Sequence, residues 1–150
     1  IPIVNLLSLA PDESIRANGM AYVRHCIEAA YTLGSNRVCG PLYAAVGRTW
    51  QATADERKRD VELLVSQLKP LAAFADERGV VLCVEPLNRF ETSFLNLASQ
   101  AIEIVDRVGH PACGLLLDTF HMNIEEQSIG AAIRPSCCCC TPSAATARRC

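Results

Sequence analysis

Residues 80–91 read Val-Val-Leu-Cys-Val-Glu-Pro-Leu-Asn-Arg-Phe-Glu, and this stretch decides the fold. Its five leading apolar residues predict a strand covered on both faces, as in a parallel sheet. Pro86 has no N–H to donate to a neighbouring strand, so it ends the run. Glu85 is therefore expected at the carboxyl end of a buried parallel strand, where α/β proteins bind their ligands.

The same pattern returns once along the chain. Residues 113–117 read Cys-Gly-Leu-Leu-Leu and run into Asp118, which lies 33 residues after Glu85. That spacing matches one strand–helix–strand unit, and right-handed crossovers make its two strands parallel. Both acids are then expected at one edge of the sheet, with His121 close by. Two carboxylates and an imidazole suit a divalent cation with oxygen and nitrogen ligands.

Four strands and four helices are predicted to alternate along the chain. The strands are expected at 3–9, 37–39, 80–85 and 113–117, and the helices at 18–33, 53–78, 96–108 and about 124–134. Thr53 and Glu56 match a capping box, Asn96 is expected to cap the third helix, and Pro70 is expected to kink or divide the second. Strict alternation indicates a parallel α/β fold. Four units are half of a (β/α)₈ barrel, which has eight strands.

Composition restricts the function classes. The chain has 150 residues and a formal net charge of −2, with no basic block before residue 135, so no electrostatic footprint for nucleic acid is expected. No stretch is long and apolar enough to span a bilayer, and the first residues have no basic leader. Cysteines scattered singly through apolar segments indicate a reducing cytoplasm.

The chain changes character at Pro135. Residues 135–150 contain four consecutive cysteines but no aromatic or large aliphatic residue, so they are expected to be disordered. Consecutive cysteines lack the spacers of zinc sites. We therefore divide the chain into a domain at 1–134 and a tail at 135–150, which is an aberrant end or a natural low-complexity segment.

Two motifs resemble those of one enzyme family. Residues 84–91 and residues 117–126, which read Leu-Asp-Thr-Phe-His-Met-Asn-Ile-Glu-Glu, are similar to motifs of the ketose 3-epimerases that act on D-tagatose and D-psicose. These enzymes belong to the xylose isomerase-like barrel superfamily. The resemblance covers about residues 3–134 and implies a partial (β/α)₈ TIM barrel of about four βα units.

The resemblance also implies roles for individual residues. Glu85 and Asp118 match two of four metal ligands, and Glu85 matches one of two acid–base carboxylates. Gly40, Glu91 and His121 match positions beside the sugar. The metal is expected to be Mn²⁺, or Mg²⁺ or Co²⁺, and the full-length form is expected to be a homo-oligomer. The family's remaining ligands, a His and a second catalytic Glu, lie on its last two strands, and this chain ends before them.

Simpler interpretations stay open for the same residues. Asp118 can cap the turn that follows it, and Gly40 can be no more than a turn before a proline. Glu91 can pair with Arg89 on the surface. The acids at 125 and 126 are expected to start the last helix, where they suit the helix dipole.

There are alternatives to the interpretation as a ketose 3-epimerase fragment. Within the superfamily, the alternatives are a hydroxypyruvate isomerase or an inosose dehydratase. A DNA-repair endonuclease of related barrel type would need more histidines and a basic face than this chain has. The remaining alternative is a truncated product without catalytic activity.

Overall fold

The computed structural model describes residue 9, residues 12–43 and residues 47–138, with the side chains of 136–138 excepted. The elements are α1 (Glu13–Thr32), β1 (Arg37–Gly40), α2 (Ala54–Asp76), β2 (Val81–Val84), α3 (Ala98–Val108), β3 (Cys113–Leu115), α4 (Thr119–Glu125) and α5 (Ile129–Cys138). The three strands form one parallel sheet in the order β1-β2-β3. The strand predicted at 3–9 lies outside the described residues, except for Leu9, which is in a turn.

Successive residues of β2 face opposite sides of the sheet. Leu82 and Val84 are fully buried and belong to the core that the sheet shares with α1, α2 and α3. Val81 and Cys83 lie on the other side, and Glu85 continues their alternation beyond the end of the strand. In a closed barrel this second side faces inward, so the fold directs Glu85 to the carboxyl end of a barrel interior.

The first helix begins five residues earlier than predicted. The Asp12 side chain caps α1 by accepting hydrogen bonds from the backbone N–H groups of Ser14 at 2.7 Å and Ile15 at 3.4 Å. Apolar residues at helical spacing start only with Met20, so the apolar pattern alone does not indicate the first turns of α1. Tyr31 has the helical spacing of the apolar residues Val23 and Ile27, but unlike them it is exposed.

The second helix confirms its predicted start and, of the two effects predicted for Pro70, shows no division of the helix. Thr53 and Glu56 form the capping box, with distances of 3.3 Å from Glu56 N to Thr53 Oγ1 and 2.8 Å from Thr53 N to Glu56 Oε2. The helix is not divided at Pro70. Leu68 and Leu71 on either side of the proline are buried in the core, and their burial compensates for the backbone hydrogen bond that proline cannot make.

We expect Thr53→Ala to lower the free energy of unfolding by about 1 kcal/mol, because it removes the hydroxyl that satisfies a free N–H at the start of α2. Chemical denaturation of the two proteins measures the difference. Thr53→Ser keeps the hydroxyl and serves as the control. An alanine variant as stable as the serine variant would show that the capping box contributes nothing.

The ends of the later helices also differ from the sequence prediction. Leu97, rather than Asn96, is the N-cap of α3, and the Gln100 side chain accepts hydrogen bonds from both of their N–H groups. The Asn96 side chain instead donates to the carbonyls of Leu87 and Thr92 at 2.8 Å each. These two hydrogen bonds stabilise the loop that follows β2.

The single helix predicted at about 124–134 is two helices. Asp118 caps α4, and the acids at 125 and 126 end that helix instead of starting the next one. The second helix, α5, continues through Pro135 to Cys138, four residues beyond the predicted domain boundary. Residues 135–138, predicted to be disordered, are therefore helical, whereas residues 139–150 lie outside the described residues and their disorder stays a prediction. Among the described helices, none combines the length and apolar character needed to cross a membrane.

Candidate metal and substrate site

The backbone of Glu85 is fixed by the end of the neighbouring strand. Its N–H donates to the Gly40 carbonyl at 3.1 Å, and the hydroxyl of fully buried Tyr43 donates to the Glu85 carbonyl at 2.8 Å. Gly40 has a φ of 147°, which lies in a region that favours glycine. Gly40 therefore ends β1 in a conformation that favours glycine and also orients Glu85, and Tyr43 is a core residue.

Asp118 both caps a helix and faces the site. Its Oδ1 accepts a hydrogen bond from Phe120 N at 2.8 Å, so the capping interpretation is confirmed. Its Oδ2 is 3.9 Å from His121 Nε2, so the second oxygen faces the candidate site. Two residues before Asp118, the Leu116 N–H donates to the Val84 carbonyl at 3.0 Å. This hydrogen bond aligns the ends of β2 and β3.

Glu85, Asp118 and His121 meet as the sequence predicts. His121 Nε2 is 4.0 Å from Glu85 Oε1, and one candidate ligand atom from each of the three residues lies within 4.8 Å of the others. His121 is 8 % exposed because α4, which starts at the Asp118 cap, turns its side chain inward. The three groups thus converge at the carboxyl ends of two adjacent parallel strands.

Glu91 lies on the other side of the imidazole ring. Its Oε1 is 3.8 Å from His121 Nδ1 and accepts a hydrogen bond from Asn88 Nδ2 at 2.9 Å. The proposed surface pair between Glu91 and Arg89 is wrong, because Arg89 binds Glu125 instead. Glu91 and His121 are therefore neighbours.

The charge of this site favours a cation. Burial raises the pKa of Glu85, and the nearby carboxylates of Asp118 and Glu91 raise it further, while His121 lowers it. Within the part of the chain that the structure describes, no Arg or Lys forms an ion pair with Glu85 or Asp118. Two close carboxylates without an Arg or Lys partner fit a divalent cation, which would relieve their mutual repulsion.

Sequence reasoning missed the ion pair that holds the loop after β2. The Arg89 guanidinium donates to Glu125 through Nε at 2.9 Å and Nη2 at 3.0 Å, and the Arg89 backbone N–H donates at 2.7 Å. Glu126 accepts from the N–H of Ala98 at 2.8 Å, at the start of α3. The end of α4 is thus joined to both ends of the segment between β2 and α3. Arg89 and Glu125 are 36 positions apart in the sequence, so no local sequence pattern reveals this pair.

The same ion pair makes stability depend on pH. Hydrogen bonds from Arg89 hold the pKa of Glu125 below its ordinary value. A depressed folded-state pKa stabilises the fold above the unfolded-state pKa, and that contribution is lost as the pH falls through the folded-state value.

We expect Glu125→Gln to flatten the fall in the free energy of unfolding as the pH drops below about 5, because the variant has no proton to take up at this position. Denaturation at a series of pH values measures the slope. Glu103→Gln removes an exposed acid of α3 and serves as the control. Equal slopes for the wild type and Glu125→Gln would contradict the prediction.

Comparisons with known proteins agree with this architecture. Residues 2–137 match the family model described as xylose isomerase-like TIM barrel. The chain is 39 % identical over 125 residues to a D-psicose 3-epimerase of Ruminiclostridium cellulolyticum, covering 83 % of this chain and 42 % of the relative. It is 31 % identical over 122 residues to an L-ribulose 3-epimerase of Methylomonas sp., covering 81 % and 42 %.

Solved structures give the same result. The crystal structure of D-psicose 3-epimerase with D-tagatose from Clostridium cellulolyticum H10 superposes with a TM-score of 0.78 at 38 % identity, over 87 % of this chain and 45 % of that one. The chain thus spans less than half the length of these relatives. The predicted resemblance to ketose 3-epimerases and the predicted partial barrel are both confirmed.

Proposed function

This chain belongs to the xylose isomerase-like TIM barrel family, and on that premise we propose that it carries part of the active site of a metal-dependent ketose 3-epimerase. The observation that supports the proposal best is the convergence of Glu85, Asp118 and His121 at the carboxyl ends of β2 and β3. Relatives named as ketose 3-epimerases are isomerases, and their names give the substrate class, a free ketose.

Epimerisation at C3 of a ketose exchanges a proton on carbon. The C3–H bond lies next to the C2 carbonyl, so its removal leaves an enediolate, and the return of a proton on the other face inverts C3. Glu85 is suited to take or return that proton, because its carboxylate lies at the carboxyl end of β2, beside Asp118 and His121, where the substrate would bind. The carboxylate on the opposite face would come from a later strand of the barrel.

Glu85 and Asp118 would hold the cation, with Mn²⁺ as the first choice and Mg²⁺ or Co²⁺ as alternatives. Such an ion stabilises negative charge that develops on neighbouring substrate oxygens. His121 and Glu91 would contact sugar hydroxyls, and Gly40 would lie beside the substrate. We further propose that the full-length protein is a cytoplasmic homo-oligomer.

The proposal is tested by supplying the rest of the barrel. Residues 1–134 are joined to the remaining strands of the R. cellulolyticum relative, and the hybrid is assayed with D-psicose and D-tagatose with and without Mn²⁺. We expect metal-dependent epimerisation and uptake of deuterium at C3 in D₂O, and no turnover by the 150-residue chain alone. A folded, metal-loaded hybrid without C3 exchange would overturn the proposal in favour of a non-catalytic product.

A further inference from the structure

Asn88 connects the two residues on either side of the candidate substrate position. It is 3 % exposed and lies in the loop that follows β2. Its backbone N–H donates to His121 Nδ1 at 3.2 Å, and its side-chain Nδ2 lies 2.9 Å from the same nitrogen. Nδ2 also donates to Glu91 Oε1 at 2.9 Å. Asn88 therefore contacts both His121 and Glu91.

These contacts determine which ring nitrogen carries the proton. A backbone N–H can only donate, so His121 Nδ1 must offer its lone pair. The orientation of the Asn88 amide is fixed in turn, because its Oδ1 accepts from the Phe90 N–H at 2.9 Å, which leaves Nδ2 as the donor toward His121 and Glu91. In a neutral imidazole the proton then lies on Nε2.

We propose that Asn88 is a positioning residue that selects the Nε2–H tautomer of His121 and holds Glu91 beside the ring. The Nε2–H group is thereby presented to the space between the Glu85 and Asp118 carboxylates, where it can donate to a substrate oxygen. The catalytic use of that donor rests on the proposed epimerase function, whereas the choice of tautomer rests only on the hydrogen bonds.

The tautomer also determines which side chains of the site can bind the metal. A protonated Nε2 has no lone pair for a metal, so the cation would be held by the two carboxylates of this chain. With the proton on Nδ1, the ring would instead place that proton against the Asn88 N–H and present a bare lone pair to two negative groups. The hydrogen bonds from Asn88 to Nδ1 prevent both of these unfavourable contacts.

The test is nuclear magnetic resonance of the full 150-residue chain labelled with ¹⁵N at histidine. Long-range ¹H–¹⁵N spectra distinguish a protonated ring nitrogen from one with a lone pair. Spectra are recorded at about pH 8.5, well above the pKa of about 6.5 that histidine has in model peptides. His121→Gln identifies the His121 signals. His110 is an internal reference, because its Nδ1 accepts from the Ala112 N–H at 3.2 Å. It precedes β3, whereas Asn88 follows the parallel strand β2, so the two residues lie at opposite edges of the sheet.

We expect Nε2–H for His121 in the wild type. Asn88→Asp replaces a donor with an acceptor and should raise the Nδ1–H population to a measurable fraction, with His110 unchanged. Asn88→Ala should raise the Nδ1–H population by a smaller amount. This variant provides the test if Asn88→Asp does not fold. Asn96→Asp is the matched control, because it also removes two donated hydrogen bonds from this loop without touching His121.

Two results would overturn the proposal. One is a wild-type His121 with its proton on Nδ1. The other is a folded Asn88→Asp or, in its absence, a folded Asn88→Ala with the wild-type tautomer. The spectra need neither sugar nor metal, so an inactive hybrid barrel would remove the epimerase proposal and leave the tautomer assignment in place.

Discussion

We expect Glu85→Gln to lower epimerase turnover by about 10³-fold or more in the hybrid barrel, since a positioned general base alone contributes about 10²- to 10⁴-fold. The substitution keeps the size of the side chain but removes the proton carrier. It also removes one of the two negative charges that would hold the cation. Turnover is measured at saturating Mn²⁺, so that loss of metal affinity does not imitate loss of the base.

The control for this experiment is Glu62→Gln, which neutralises an exposed acid on α2 that makes none of the contacts described for the site. It should epimerise at the wild-type rate. Deuterium exchange at C3 adds a second readout, because it follows proton removal directly. Near-normal turnover and exchange by Glu85→Gln at saturating metal would remove Glu85 from the mechanism, whatever its effect on metal affinity.

The part of the site that sequence predicts is the part set by strand ends. An apolar run that stops at an acid locates Glu85 and Asp118, because parallel strands place their carboxyl ends at one edge. His121 follows Asp118 closely enough for one turn of helix to bring it back to the same edge. Periodicity and chain direction therefore suffice for these three residues.

The residues that hold the site in place cannot be predicted from the ends of strands. Asn88 contacts His121, and Arg89 contacts Glu125, each across more than thirty residues. Such pairs depend on how two loops approach once the core is packed, which local spacing does not encode. The Asp12 cap was missed for a different reason, since helix starts were located from apolar spacing and this cap precedes it.

Pro70 shows how tertiary packing outweighs local preference. A proline inside a helix removes one backbone hydrogen bond, at a cost of about 3 kcal/mol. The helix that contains it buries Leu64, Leu68 and Leu71 in the core, and burial of a leucine side chain contributes about 1.5–3 kcal/mol. An unbroken α2 keeps all three contacts, so the continuous helix is favoured over the divided one.

The second large effect is expected for Asp118→Asn, which should weaken Mn²⁺ binding in the hybrid barrel. Even residues outside the ligand shell reduce metal affinity by about 10- to 100-fold when replaced, so a direct ligand should cost at least about that much. Asparagine is the suitable replacement because it also caps helices, and so preserves the hydrogen bond to the Phe120 N–H. The fold of α4 and the position of His121 should then be unchanged.

The rate should separate this variant from Glu85→Gln. Asp118 is proposed to bind the ion without carrying the proton, so an excess of Mn²⁺ should restore part of the activity of Asp118→Asn and none of the activity of Glu85→Gln. Titration of both variants with Mn²⁺ while epimerisation is followed makes the comparison. Asp118→Ala is the control for the cap, since it removes the helix hydrogen bond as well as the charge and should lose stability in addition. Activity of Asp118→Asn that does not depend on Mn²⁺ concentration would show that Asp118 does not bind the cation.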